Sequence, residues 1–259
     1  MNIIFMSLLA GVFGMGFGAL LTAVLGSRTD RMISIFLSFA GGVMISIVFL
    51  ELIPEAAKFS NVGVTAGGLV IGALMVMVLN NVMDRISDAG KAESKLHETY
   101  AEFFHSSEML ASKKSMLRSG MIMLFAIALH NIPEGLAIGA AGRHDAALGV
   151  TLAIMIGLHN IPEGMAVAAP LIAGGLSKTK TVTLTLLSGA TTVVGAIAGV
   201  VIGGISDLAL ALSFSIAGGA MLYIVFGEIL PQSIVTNKDR IPTTFALAGI
   251  VVGMLFTRV

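Results

Sequence analysis

The chain has 259 residues, of which 56% are hydrophobic and 12% charged, and its formal net charge is zero. Soluble domains carry about 25% charged residues, so this composition excludes a water-soluble globular protein and predicts an all-α, polytopic membrane protein. Neutrality removes the electrostatic case for a nucleic-acid partner, and the lack of cysteine removes disulfides and thiolate metal sites.

Eight apolar segments follow in chain order, each near the roughly 20 residues that span a bilayer. They cover about 3–25, 33–53, 63–83, 119–141, 147–172, 181–203, 208–230 and 241–257. Together they predict a single transmembrane domain over 1–259. No basic stretch precedes the first run, so it is expected as an uncleaved helix. Its Gly11, Gly14, Gly16 and Gly18 read as close-packing positions, since small residues let helices approach in lipid. The 16 methionines read mostly as packing too.

Lys and Arg concentrate on the cytoplasmic side of membrane proteins. With the N-terminus outside, twelve of these residues fall in inside loops and three outside. The bias puts both termini outside. It also makes the long charged stretch at about 84–118 a cytoplasmic loop. Leu96, Tyr100, Phe103 and Phe104 within it have loosely helical spacing, as in an amphipathic surface helix. His97 and His105 lack metal-ligand spacing and read as ordinary solvated residues.

The fourth and fifth segments carry the most informative residues. His-Asn-Ile-Pro-Glu-Gly runs from His130 to Gly135 and again from His159 to Gly164. Ionisable groups at that depth are costly and are retained for function. Residues four apart share a helix face, so His130 lies over Glu134 and His159 over Glu163. Imidazole with carboxylate suits Zn(II), Fe(II), Mn(II) and similar ions. Two neutral histidines and two glutamates carry a charge that one divalent cation cancels. Pro133 and Pro162 each free a carbonyl one turn back, which suits a polar cavity in the membrane. A hydrogen-bonded pair that only locks helix packing is the bland reading, and exact duplication of the hexapeptide weighs against it.

A second repeat joins segments two and seven. Ser38 to Pro54 resembles Ser215 to Pro231 at a constant offset of 177 residues, with Ser, Ala, Gly, Gly, Met, Ile, Val, Phe, Glu and Pro matching. These segments cross the membrane in opposite senses, which predicts a 3+2+3 inverted-repeat arrangement. Such repeats are a transporter signature, with the site near the midplane. Glu51 then lies near the outer face and Glu228 near the inner face. They read either as one carboxylate at each entrance to a cation path or as headgroup-zone residues at helix ends.

The doubled hexapeptide and the Gly-Gly-x-Met…Glu-x-x-Pro segments resemble the ZIP (Zrt/Irt-like) metal transporters, close to the bacterial zinc-uptake permease branch. The resemblance covers essentially the whole chain. It implies movement toward the cytoplasm of Zn²⁺, and also of Fe²⁺, Mn²⁺, Co²⁺ or Cd²⁺. It implies a main site at His130, Glu134, His159 and Glu163, with Met44 at a position that offers a thioether in some members. A second site in some members uses residues matching Asn131, Glu134, Asn160 and Glu163 with a Glu from the sixth span. Here Thr192 stands where that acid is expected, so one strong site is expected. The metal would be substrate, and no catalytic cofactor is expected.

No phosphate-binding Gly-rich loop is present, so nothing suggests ATP use. The rival function is an intramembrane metal-dependent enzyme. Its usual His-Glu-x-x-His is absent, and paired symmetric ligands suit an ion path better than an asymmetric reaction centre. Short loops and the lack of a targeting segment suit a bacterial inner membrane. The expected partners are divalent ions and lipid. Oligomeric state, including a homodimer, is left open.

Overall fold

The computed structural model describes residues 2–25, 29–88, 113–144, 146–202 and 206–256. The two loop histidines, His97 and His105, and most of the expected cytoplasmic loop lie outside them. Eight helical rods run through the described residues. They are α1 (Ile3–Leu25), α2 (Asp30–Phe59) and α3 (Val62–Asp88), then α4 (Lys113–His144) and α5 (Ala146–Ala173), then α6 (Lys178–Ile202), α7 (Asp207–Thr236) and α8 (Ile241–Phe256). No strand occurs among the described residues. Among the described residues seven helices are long and apolar enough to cross a membrane, and the apolar part of α8, Ile241–Leu255, is shorter. The chain is thus an all-α, polytopic membrane protein. In lipid only such helices satisfy their own backbone groups.

The helix starts follow local chemistry. Thr29 caps α2 by accepting from the Met32 N–H at 3.3 Å, and Asp30 lies in the first turn. Ser206 caps α7 by accepting from the Ala209 N–H at 3.3 Å, and Asp207 follows. Hydroxyl caps satisfy orphan donors, and an acid there complements the helix dipole.

Two helices outrun the spans expected from sequence. The expected ends of segments two and seven are residues 53 and 230, each just before a proline. Instead α2 continues through Pro54 to Phe59, and α7 continues through Pro231 to Thr236. The cause is a π turn before each proline, at Val48–Leu52 and Val225–Ile229. There the Ile53 N–H donates to the Val48 carbonyl and the Leu230 N–H to that of Val225. Each proline then stands in the first turn of a renewed α-helix, where a missing N–H costs nothing. A third π turn, Leu9–Phe13, interrupts α1. The helices α3 and α4 likewise extend into the stretch 84–118, which sequence reads as a cytoplasmic loop with a surface helix in it.

Packing divides the helices into two groups. The helix α4 lies along α6 and α5, and α5 lies along α1. In the other group α7 lies along α3, and α2 lies along α8. The groups meet where α2 crosses α5 and α7 crosses α4. Close approach rests on glycine. A Cβ on Gly42 of α2 would collide with the Ala246 carbonyl of α8, and one on Gly219 of α7 with that of Leu69 in α3. The main core is built on α2 and α7, including Leu37, Met44, Ile47, Met221 and Ile224. The helix α3 is peripheral and turns Val70, Ile71, Leu74 and Val78 outward.

The helices α2 and α7 also touch each other directly, and the two ends of that crossing differ. Near the start of α2 and the end of α7, the Ser34 and Ser233 hydroxyls lie 3.1 Å apart, and Ser233 Oγ donates to the Ser34 carbonyl at 2.9 Å. At the other end the rings of Phe59 and Phe214 stack with centroids 6.4 Å apart.

Candidate metal centre

Both hexapeptides lie inside unbroken helices, the first in α4 and the second in α5. His130, Asn131, Glu134, His159, Asn160 and Glu163 are all buried. Each motif ends on a glycine that lets a neighbour close over it. A Cβ on Gly135 would strike the Thr192 carbonyl of α6, and one on Gly164 the Met15 carbonyl of α1. The motif helices are thereby clamped between α6 and α1.

The polar groups pair across the two helices. His130 Nε2 lies 3.2 Å from Glu163 Oε1, and His159 Nε2 lies 3.2 Å from Glu134 Oε1. Within the first motif the His130 to Glu134 separation is 3.8 Å. One ligand atom from each of His130, Glu134 and Glu163 falls within 4.8 Å of the others. His159 joins this cluster through Glu134. Imidazole and carboxylate donors converging in this way suit a divalent cation.

The two asparagines are anchored outward. Asn160 Nδ2 donates to the Ala10 carbonyl at 3.0 Å, inside the π turn of α1. Asn131 Nδ2 donates to the Ser188 carbonyl of α6 at 3.5 Å. Their Oδ1 atoms are buried without a hydrogen-bond partner, as are Glu134 Oε2, Glu163 Oε2 and both histidine Nδ1 atoms. Buried polar atoms are normally paired, so such a concentration calls for an occupant. Thr192 is buried on the turn of α6 that meets Gly135, its Oγ1 lies against Gly11 of α1, and that Oγ1 is also unpartnered. Met44 is fully buried in the core of α2.

The remaining acids part company. Glu228 accepts from Asn80 Nδ2 at 3.2 Å and from Ser119 Oγ at 3.0 Å. Glu51, in the π turn of α2, is buried. Sequence reasoning does not single out Asn80, Ser119 or Ser188. A signal exists for Asn80, a polar residue at the end of an otherwise apolar run. Ser188 opens the stretch that runs to Thr192, but it acts here through its backbone carbonyl, which no side-chain type announces.

A helical bundle with a buried cluster of two histidines and two glutamates defines an integral membrane protein built to handle a divalent cation within the bilayer. Residues 87–259 match the family model described as ZIP Zinc transporter. The chain is 32% identical to the zinc transporter ZupT of Chlorobaculum parvum, over 96% of this chain and 92% of that protein. It is also 32% identical to the zinc transporter ZupT of Campylobacter jejuni, over 97% and 94% respectively. Over a shorter stretch, 53% of this chain and 54% of its relative, it is 38% identical to the zinc transporter GufA of Myxococcus xanthus. The chain belongs to the ZIP zinc transporter family. It is therefore a transporter, and the metalloenzyme alternative falls away.

Proposed function

We propose that the protein moves divalent metal cations, Zn²⁺ foremost and Fe²⁺, Mn²⁺, Co²⁺ or Cd²⁺ as further cargo, toward the cytoplasm through a site formed by His130, Glu134, His159 and Glu163. The observation that carries this reading is the crosswise pairing of the two motifs at 3.2 Å in a buried cluster with orphaned donor atoms. A dication entering the cluster takes the Nε2 lone pairs and the carboxylate oxygens that now face each other. Its charge cancels that of the two glutamates, which offsets the cost of burying all four groups. Asn131 and Asn160 border the site through their free Oδ1 atoms. Met44 is assigned a thioether contact from α2.

The transporting unit is one domain of eight spans in a 3+2+3 inverted repeat. Several matches at the offset of 177 support it. Val48–Leu52 corresponds to Val225–Ile229, and the caps Thr29 and Ser206 correspond. The Gly42 contact with Ala246 corresponds to the Gly219 contact with Leu69, with the helices exchanged. Both termini are placed outside by the Lys and Arg bias, and the stretch at about 84–118 is then cytoplasmic. A bacterial inner membrane is the assigned location.

The test is Zn²⁺ uptake into proteoliposomes loaded with a fluorescent chelator. Saturable uptake in the wild type that collapses in His159→Ala and Glu163→Ala is expected. A folded, reconstituted wild type that moves none of these ions overturns the proposal.

A further inference from the structure

The π turn of α1 releases a backbone carbonyl beside the second motif. There the Gly14 N–H donates to the carbonyls of Leu9 and Gly11 and passes over that of Ala10, its partner in an α-helix. A buried carbonyl that loses its helical donor needs another. Ala10 is buried, and the donor is Asn160 Nδ2 at 3.0 Å. Asn160 directly follows His159 and stands three residues ahead of Glu163. A hold on its amide therefore fixes the rotation of α5 at the point where both ligands meet the first motif. Two glycines make the reach possible. A Cβ on Gly14 would strike the Gly157 carbonyl and Asn160 Cβ, and one on Gly157 would stand 3.2 Å from Ala10 Cα. The copy in the first motif is held differently. Asn131 Nδ2 reaches the Ser188 carbonyl only at 3.5 Å, and the Thr191 hydroxyl donates to that same oxygen at 2.7 Å. Ser188 also lies inside the continuous helix α6, where no π turn releases its carbonyl.

We propose that the π turn of α1 is a working part of the metal centre: the Ala10 carbonyl it releases holds Asn160, and Asn160 is a positioning residue that sets His159 and Glu163 against the first motif. Asn131, its copy, is not held in this way. The proposal rests on the transport function given above. Asn160 acts through its amide N–H, and its contribution to metal binding is the orientation of its neighbours. This separates it from a residue that serves through its Oδ1 atom. Aspartate at 160 keeps the oxygen, adds a charge that attracts a dication, and has no N–H to give to Ala10. A ligand role makes that change favourable for metal, whereas a positioning role makes it unfavourable, since two oxygens then face each other.

The experiment is initial-rate Zn²⁺ uptake in proteoliposomes, with KM and Vmax separated. Asn160→Asp is expected to raise KM about fivefold, the worth of one buried hydrogen bond, with Vmax within about twofold of wild type. Asn131→Asp is expected not to raise KM. Gly157→Ala leaves Asn160 whole and pushes Ala10 away from it, and it should raise KM about twofold. Both changes break the same contact, so the double variant should be no worse than Asn160→Asp alone. An unchanged or lower KM in Asn160→Asp, an equal rise in Asn131→Asp, or a fully additive double variant overturns the proposal. So does a fall in Vmax alone, which is what a merely structural contact gives. Should Asn160→Asp fail to fold, a wild-type KM in both Gly157→Ala and Gly14→Ala overturns it. If the wild type moves no Zn²⁺, the transport function fails, and Zn²⁺ affinity of the same variants in detergent, read for the same pattern, decides the positioning role.

Discussion

His130 takes its nearest carboxylate from the other motif: Glu163 lies 3.2 Å away, against 3.8 Å for Glu134, one turn along the same helix. The site is held together between α4 and α5 rather than within either. Each motif supplies half of two pairs, so loss of either hexapeptide disrupts both.

That pairing predicts a pattern in a double-mutant cycle on metal-free protein. His130→Ala with Glu163→Gln should show coupling of about 1–3 kcal/mol, as residues in one buried polar contact do. His130→Ala with Glu134→Gln should couple less. Chemical or thermal unfolding in detergent measures both cycles, and equal coupling would contradict the geometry.

Metal binding should release protons and weaken on acidification. The sign follows from the ligands: metal takes the deprotonated imidazole and the ionised carboxylate, so protons and Zn²⁺ compete for the same lone pairs. Lowering the pH raises the proton's share and lowers apparent affinity. Calorimetry in buffers of different ionisation enthalpy gives the number released. A value of zero, with affinity independent of pH, would contradict a site made of these four residues.

Thr192 should set the stoichiometry. Its neutral hydroxyl, buried on the turn of α6 that meets Gly135, supplies no charge, and one dication would cancel that of the two glutamates. Wild type is expected to bind one Zn²⁺ per chain tightly. Thr192→Glu adds the missing charge and is expected to bind a second. Equilibrium dialysis with metal quantification distinguishes the two, and two equal sites in wild type would be the contrary result.

Glycine substitutions should separate contact from propensity. Gly42→Ala and Gly219→Ala drive a methyl into a backbone carbonyl, a clash no rotamer relieves. Each should cost about 1–3 kcal/mol, the range for overpacking. A Cβ on Gly67 would meet nothing within 4 Å. Gly67→Ala should be neutral or gain up to about 1 kcal/mol from helix propensity. Melting temperatures in one detergent give the comparison.

Much of this is readable from the chain because membrane helices announce themselves by length and apolarity. The starts of α2 and α7 fall within a few residues of the apolar runs, and the paired motifs are visible as charged groups where charge is expensive. The prolines mislead. Pro54 and Pro231 look like ordinary helix terminators, and nothing in the residues before them announces that a π turn will carry the helix past. Crosswise pairing is equally hidden. Helical spacing puts His130 over Glu134, and only the packing angle of α4 on α5 decides that Glu163 comes closer. The unequal fates of Glu51 and Glu228 depend on Asn80 and Ser119, which stand outside the repeated segments.

The matched π turns bear on how this chain arose. A π turn is one residue more than an α-helix needs, and such an excess in a helix is the trace of an insertion. Here it sits at Val48–Leu52 and again at Val225–Ile229, in the same register of both repeats, with its glutamate three residues ahead of the same proline. Two independent insertions at one register are less economical than one. The extra residue is therefore most simply a feature that the two segments share by descent from one sequence, and they have diverged around it since.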